Sequence, residues 1–135
     1  MAGYSGTPLS KKLGFKPGGR VKTVSAPKDY GSLVAPLPDG VLVSARLNPP
    51  VDVLHIFCKS QVTLVPALKR AVGDIHQDGT IWVSWPKQTS GVTTDLNREI
   101  VRDLALKLPL VDVKVCAVDE TWSGLKFVIR KKFRK

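Results

Sequence analysis

The feature that most constrains the fold is the pattern at residues 111–129, VDVKVCAVDETWSGLKFVI. Two apolar, strand-like runs are joined there by a turn that begins with Asp119 and Glu120 and ends with Gly124. A helix-like segment precedes this pair, and the rest of the chain alternates strand and helix patterns, which is typical of a parallel sheet covered by helices. The sequence therefore predicts a mostly parallel α/β sheet with helices on both faces and a C-terminal antiparallel hairpin.

Length and composition predict a single domain over residues 1–135, with an N-terminal arm and lead-in at 1–20 and a basic tail at 130–135. A chain of 135 residues can bury one core without disulfides or metals. No apolar run approaches the roughly 20 residues that span a bilayer, and the N-terminus lacks a secretory pattern. We therefore expect no membrane association and a cytoplasmic location. Cys58 and Cys116 lie in apolar runs without neighbouring ligands, which predicts buried thiols and no metal site.

Turn residues and apolar spacing divide the chain into elements. Strands are expected at residues 20–25, 41–47, 51–58 and 80–85, followed by the terminal hairpin. Apolar residues at three- and four-residue spacing predict helices at 60–72 and from Thr94 or Asp95, as cap, to residue 108. Shorter helices fit residues 8–13 and 29–37, and Asp78-Gly79 predicts a turn before the fourth strand.

Right-handed crossovers would bring the strand ends to one rim, which is where open α/β sheets bind ligands. The candidate ligand pocket at this rim consists of Lys59, Trp85, Lys87, Asp119, Glu120 and Trp122. The two tryptophans offer aromatic walls, and one carboxylate would pair with Lys87 or accept a hydrogen bond from a ligand. Alternatively, the acids form only a charged turn and the indoles only pack beneath loops.

No residue in this set completes a catalytic motif. Asp119 and Glu120 are adjacent and would point to opposite faces of a strand, so they do not form an acid and base pair. His55 lies in an apolar run, which predicts a hydrogen-bonded core residue. Residues 4–6 (Tyr4, Ser5 and Gly6) would form either a lid over the rim or a disordered end.

The formal net charge is +10. A basic cluster occupies the tail and supplies the candidate phosphate contacts Arg130, Lys131, Lys132, Arg134 and Lys135. Such a cluster attracts nucleic acid without reading its sequence. It is equally a solubilising, solvated end, and both interpretations stay open.

The opening LSKKLGFKPGGRVKTVSAP, at residues 9–27, resembles the start of class I S-adenosylmethionine-dependent methyltransferases, in which a lead-in helix and a Pro-Gly turn precede the first strand. The antiparallel end of the predicted sheet matches that superfold as well. The segments LSKKLGFKPG, IWVSWPK and DETWSGLKFVIR together resemble a family of short bacterial proteins known only as a domain of unknown function. The resemblance implies a Rossmann-like, methyltransferase-like fold and no particular reaction.

Two sites of the methyltransferase pattern differ in this chain. The glycine-rich turn after the first strand is replaced by Ser25-Ala26-Pro27, and the acid that holds the ribose at the end of the second strand is replaced by Ser44, Ala45 and Arg46. We therefore expect no cofactor and a non-catalytic or ligand-sensing domain whose partner is a small ligand or another protein. The alternatives are a nucleic-acid-associated basic protein and a minimal S-adenosylmethionine-dependent methyltransferase.

Overall fold

A computed structural model describes residues 7–135, so the predicted lid at residues 4–6 lies outside the described part. The elements in chain order are α1 (Leu9–Lys12), β1 (Arg20–Val24), α2 (Tyr30–Val34), β2 (Leu42–Ser44), β3 (Val51–Phe57), α3 (Gln61–Asp74), β4 (Ile75–Pro86), α4 (Arg98–Leu106), β5 (Leu110–Ala117) and β6 (Trp122–Ile129). Single 3₁₀ turns occur at Gln88–Ser90 and Lys131–Phe133. Among the described residues, no helix has the length and apolar character needed to cross a membrane.

Across residues 7–135 the strands form one six-stranded sheet in the order β2-β1-β3-β4-β6-β5. Strands β2, β1, β3 and β4 are parallel to one another, and β6 pairs antiparallel with both β4 and β5. The chain leaves β1 for β2 on one side and returns to β3 on the other, so the strand order reverses between β1 and β3. The predicted mostly parallel sheet with an antiparallel end is confirmed.

Each face of the sheet has its own apolar core, because alternate residues of a strand point to opposite faces. Leu54 and Ile56 of β3 pack with α3 and α4, whereas Val53 and Phe57 pack with α1 and α2. A strand buried on both faces requires a nearly continuous apolar run, which explains why β3 shows no alternation. Trp82 lies under α1, where its indole nitrogen donates a hydrogen bond of 2.9 Å to the Leu13 carbonyl.

The two long helices begin at side-chain caps. At α3 the Ser60 hydroxyl accepts from the Thr63 amide, and at α4 the Asn97 side chain accepts from the Ile100 amide. The predicted cap of α4 at Thr94 or Asp95 is therefore wrong. The Asp95 carboxylate instead accepts a 2.9 Å hydrogen bond from the Gln61 amide at the start of α3. The Asp95 carboxylate, which the sequence predicted as a possible local cap of α4, therefore makes a tertiary hydrogen bond to α3 instead.

Three other predictions need correction. β2 is only three residues long. The Asp78-Gly79 signal does not end an element, because β4 continues through it as a bulge: Ile75 and Thr80 pair with Val51 and Val53. A side chain at Gly79 would approach the carbonyls of residues 76 and 52 to 3.0 and 3.1 Å, so the bulge requires glycine. Cys58 is buried as predicted, but Cys116 is only half-buried.

Candidate ligand-binding cleft

A cleft of about 500 Å³ opens at the carboxyl ends of β1 and β3. It lies where the strand order reverses, which is the usual ligand position in open α/β sheets. Its walls come from the end of β1, from residues 56–59 at the end of β3, from the first turns of α3, and from Trp122 at the start of β6. The volume falls within the range of roughly 300–1,000 Å³ that is typical of small-molecule sites.

The floor of the cleft contains a backbone conformation that favours glycine. Ser25 follows β1 directly, lines the cleft and has φ 56°. Left-handed backbone is uncommon for a residue with a side chain, and such conformations concentrate at functional sites. A left-handed residue therefore follows the first strand directly, although the sequence has no glycine there.

An aromatic column leads from the sheet interior to the cleft. The His55 ring stacks on Phe57 with a centroid separation of 4.3 Å, and Phe57 meets Trp122 edge-on at 5.1 Å. Phe57 and Trp122 both line the cleft, and Trp122 is half-buried. Because edge-on packing fixes the indole against a buried ring, Trp122 presents a rigid apolar surface to the opening.

His55 is fully buried and is satisfied at both ring nitrogens. Nδ1 lies 2.9 Å from the Tyr30 hydroxyl, and Nε2 lies 2.7 Å from the Ser84 hydroxyl. Burial lowers the pKa of His55 to about 3 and raises the pKa of Tyr30 above its ordinary value. The prediction of a hydrogen-bonded core histidine is confirmed, and the ring supports the cleft wall without reaching it.

The polar groups of the cleft belong mainly to the start of α3. The hydroxyls of Ser60 and Thr63 lie 2.9 Å apart, and both residues line the cleft beside the exposed Lys59. Burial, with a smaller effect of Asp95, raises the pKa of Cys58 to about 12, so this thiol stays protonated. Among residues 7–135, the lining contains no carboxylate and no imidazole, and these residues offer hydroxyls and one ammonium group rather than a general base.

The structure brings only two of the six candidate pocket residues, Lys59 and Trp122, into the cleft. Trp85 is 6% exposed and packs in the core beneath α3 and α4. The position of Trp85 follows from strand alternation, because Val83 and Trp85 lie on one face of the sheet and Trp82 lies on the opposite face. The aromatic wall proposed for Trp85 is therefore not at this site.

The other three candidates lie in or beside the hairpin turn. One oxygen of Asp119 accepts from the amides of Thr121 and Trp122, at 2.8 and 2.7 Å, and so forms the turn itself. Lys87 joins the turn through its backbone, whose amide donates to the Thr121 carbonyl at 2.8 Å. Glu120 is exposed. No ion pair joins Lys87 to either acid within residues 7–135. The alternative, in which one of these carboxylates accepts a hydrogen bond from a ligand, stays a prediction.

The basic tail is attached to the domain through two arginines, and its candidate phosphate contacts stay a prediction. The Arg130 guanidinium donates to the carbonyls of Leu106, Leu108 and Leu110, at 2.6, 3.0 and 2.9 Å, and caps the end of α4. Arg134 donates to the Ile129 carbonyl at 2.9 Å. Both side chains thus bind backbone carbonyls, Arg130 from a half-buried position and Arg134 from an exposed one. Lys131, Lys132 and Lys135 remain exposed.

A scan against protein-family models finds no match, and a search of curated proteins finds no match either. Solved structures with the same fold are found. TrmN from Thermus thermophilus aligns at a TM-score of 0.62 with 13% identity over 90% of this chain and 47% of its own. The chain thus spans about half the length of that protein.

Two further structures are similar. The ribosomal protein L11 methylase from Lactobacillus delbrueckii subsp. bulgaricus aligns at a TM-score of 0.56 with 9% identity over 90% of this chain and 74% of its own. A protein of the NADB-Rossmann superfamily from Streptococcus agalactiae aligns at 0.55 with 10% identity over 92% of this chain and 68% of its own. These similarities confirm the methyltransferase-like, Rossmann-like fold that the sequence resemblance implies.

Proposed function

We propose that the protein binds an adenosyl amino acid of the S-adenosylmethionine type in the cleft and acts as a minimal methyltransferase. The observation that carries this proposal is the cleft at the strand-order reversal, with the left-handed turn of Ser25 on one side and Trp122 on the other. The fold shared with the L11 methylase supports it. The comparisons favour this interpretation over the purely non-catalytic one that the sequence motifs suggested.

The lining residues fit such a ligand in part. The turn at Ser25 lets the main chain approach a ligand closely, and the Phe57–Trp122 pair suits one face of a purine. The site lacks an acid at the end of β2, where Ser44 accepts a hydrogen bond from the Arg46 amide. A hydrogen bond to a charged group contributes about 1.5–3 kcal/mol. We therefore expect affinity roughly tenfold to a hundredfold weaker than a site with that acid would have.

S-adenosylmethionine supplies an electrophilic methyl group when it is bound. The residues of this chain would hold and orient the ligand, exclude water with the aromatic pair, and leave the mouth of the cleft open to an acceptor. Because the lining contains no carboxylate or imidazole and Cys58 stays protonated, the acceptor must already be nucleophilic. An uncharged amine or a thiolate meets that requirement.

The second candidate is a ligand-sensing domain that binds the same class of molecule without turnover. The lack of a base among the lining residues favours it. Both candidates require binding in the cleft, and they differ only in whether the ligand is consumed.

The test is calorimetric titration of the protein with S-adenosylmethionine, S-adenosylhomocysteine and adenosine, repeated on Trp122→Ala. Phe133→Ala, which removes an exposed aromatic side chain from the tail, is the matched control. We expect binding by wild type and by the control and at least tenfold weaker binding by Trp122→Ala. Release of S-adenosylhomocysteine in the presence of small amines and thiols would establish transfer, whereas binding without release would favour sensing. If neither adenosyl amino acid binds, the proposal is wrong.

A further inference from the structure

A group of lysines converges on the sheet face opposite α3 and α4. Lys114 of β5 and Lys126 of β6 are directly paired across the antiparallel ladder. Lys126 also pairs, on its other side, with Trp82 of β4. Trp82 lies in the core beneath α1. Lys126 therefore points to the face of Trp82, away from Leu125 and Phe127.

A bulge in β5 places Lys114 on that face. Asp112 pairs with Phe127 and Lys114 pairs with Lys126, so the register shifts at Val113. Asp112 faces α4, where its carboxylate binds Arg102 at 3.1 Å. In a regular strand, residues 112 and 114 would share a face. The bulge instead separates the acid from the lysine and puts two like charges side by side, where they repel.

Other lysines surround this pair. Lys16, in the loop after α1, acts electrostatically on Lys126: burial, followed by the charges of Lys114 and Lys16, lowers the pKa of Lys126. Burial raises the pKa of the Cys116 thiol, while Lys12, Lys114 and Lys87 act in the opposite direction. We call Lys16, Lys114 and Lys126, flanked by Lys12 and Lys87, the lysine face.

Within residues 7–135, none of the three central lysines forms an ion pair. The ion pairs of the described chain join Lys22 to Asp74, His76 to Asp52 and Arg102 to Asp112, and none includes Lys16, Lys114 or Lys126. Like charges directly opposite in a ladder destabilise a sheet, so this arrangement does not serve folding. A bound polyanion would remove the repulsion.

We propose that the lysine face binds the phosphodiester backbone of a nucleic acid, with Lys114 and Lys126 as the central contacts and the folded tail as a minor contributor. Strands β5 and β6 present two ammonium groups side by side, and Lys16 of the loop after α1 adds a third positive charge that acts on Lys126. Neighbouring positive charges of this kind are what phosphate contacts require. The surface has charge without a base-reading element, so binding is independent of sequence. This proposal is separate from the cleft and does not rest on the proposed function.

The test is fluorescence anisotropy with a labelled 20-nucleotide single-stranded RNA and a duplex DNA between 50 and 200 mM salt. The variant K114A/K126A is compared with K131A/K132A, which removes the same charge from exposed positions of the tail. Log affinity falls linearly with log salt, and loss of two phosphate contacts should reduce the steepness of that fall by about 1.4 for single strands. We expect affinity for RNA to fall about tenfold in K114A/K126A and less than threefold in the tail variant.

Thermal unfolding accompanies the titration, because K114A/K126A removes a repulsion and should be at least as stable as wild type. Three results would overturn the proposal: no binding by wild type at 50 mM salt, equal losses in both variants, or binding to phosphatidylserine vesicles but not to either nucleic acid. Retained S-adenosylmethionine binding in K114A/K126A would show that the cleft and the lysine face are independent sites. If one of the two proposals is refuted, the other proposal still stands.

Discussion

Acidification should destabilise this fold through His55. The ring is fully buried between the Tyr30 and Ser84 hydroxyls, and burial lowers its pKa to about 3. An unfolded histidine titrates near 6.5. Between these pH values the unfolded chain binds a proton at His55 that the folded chain does not. The contribution of His55 to the free energy of unfolding is therefore fully present above about pH 6.5. It then declines as the pH falls toward the folded pKa.

The magnitude follows from the width of that window. Each pH unit below the unfolded pKa corresponds to about 1.36 kcal/mol, so acidification to pH 5 costs about 2 kcal/mol. Both hydroxyls can accept hydrogen bonds from an imidazolium, and the cost therefore arises from desolvation of the charge rather than from lost hydrogen bonds. Against a typical total of about 5–15 kcal/mol, this decrease is readily measurable.

The assay is urea unfolding of wild type, His55→Gln and His76→Gln at pH 7, 6 and 5. His55→Gln starts from lower stability because it disturbs two buried hydrogen bonds, but its loss on acidification should be about 2 kcal/mol smaller than that of wild type. His76→Gln removes the other imidazole of the chain, whose side chain is 43% exposed, and is the matched control. Equal slopes in wild type and His55→Gln would refute the argument, because carboxylates alone would then account for the pH dependence.

Three further predictions concern single side chains, each measured by urea unfolding at pH 7. Arg130→Met should destabilise the protein by about 2–3 kcal/mol, since three carbonyls lose a charged donor; a loss under 0.5 kcal/mol would show that the arginine is solvated. Asp119→Ala should cost about 1–2 kcal/mol through two freed amides, and Asp119→Asn much less. Ser25→Val should cost about 1–2 kcal/mol because of the left-handed backbone, while Ser25→Gly should be tolerated; a tolerated valine would contradict that backbone geometry.

Local patterns predicted the elements that short-range physics decides. Apolar spacing located α3 and α4, and a continuous apolar run located β3 between two covered faces. The polar segment at residues 119–124 predicted the hairpin, because the side-chain contacts of the turn lie within three residues. The cap of α4 was misplaced because the Asp95 carboxylate binds the Gln61 amide 34 residues away.

The candidate site was only partly predictable. A common rim follows from right-handed crossovers, and it correctly brought Lys59 and Trp122 together. Trp85 was assigned to the same rim, although alternation along β4 turns it into the core. The cleft residues at the start of α3, Ser60 and Thr63, were missed as ligand-facing groups because their spacing indicates only a helix cap. No local signal marks Ser25 as left-handed.

The sequence by itself determined which segments become strands and helices, which side chains are apolar enough to form the cores, and that the sheet ends in an antiparallel hairpin. Those properties depend on periodicity and turn chemistry within a few residues. The tertiary structure alone decided that Arg130 caps α4, that Asp112 and Lys114 face opposite ways, and that Lys114 and Lys126 are direct neighbours across the ladder. Each of these depends on register and bulges between segments distant in sequence, which local patterns do not specify.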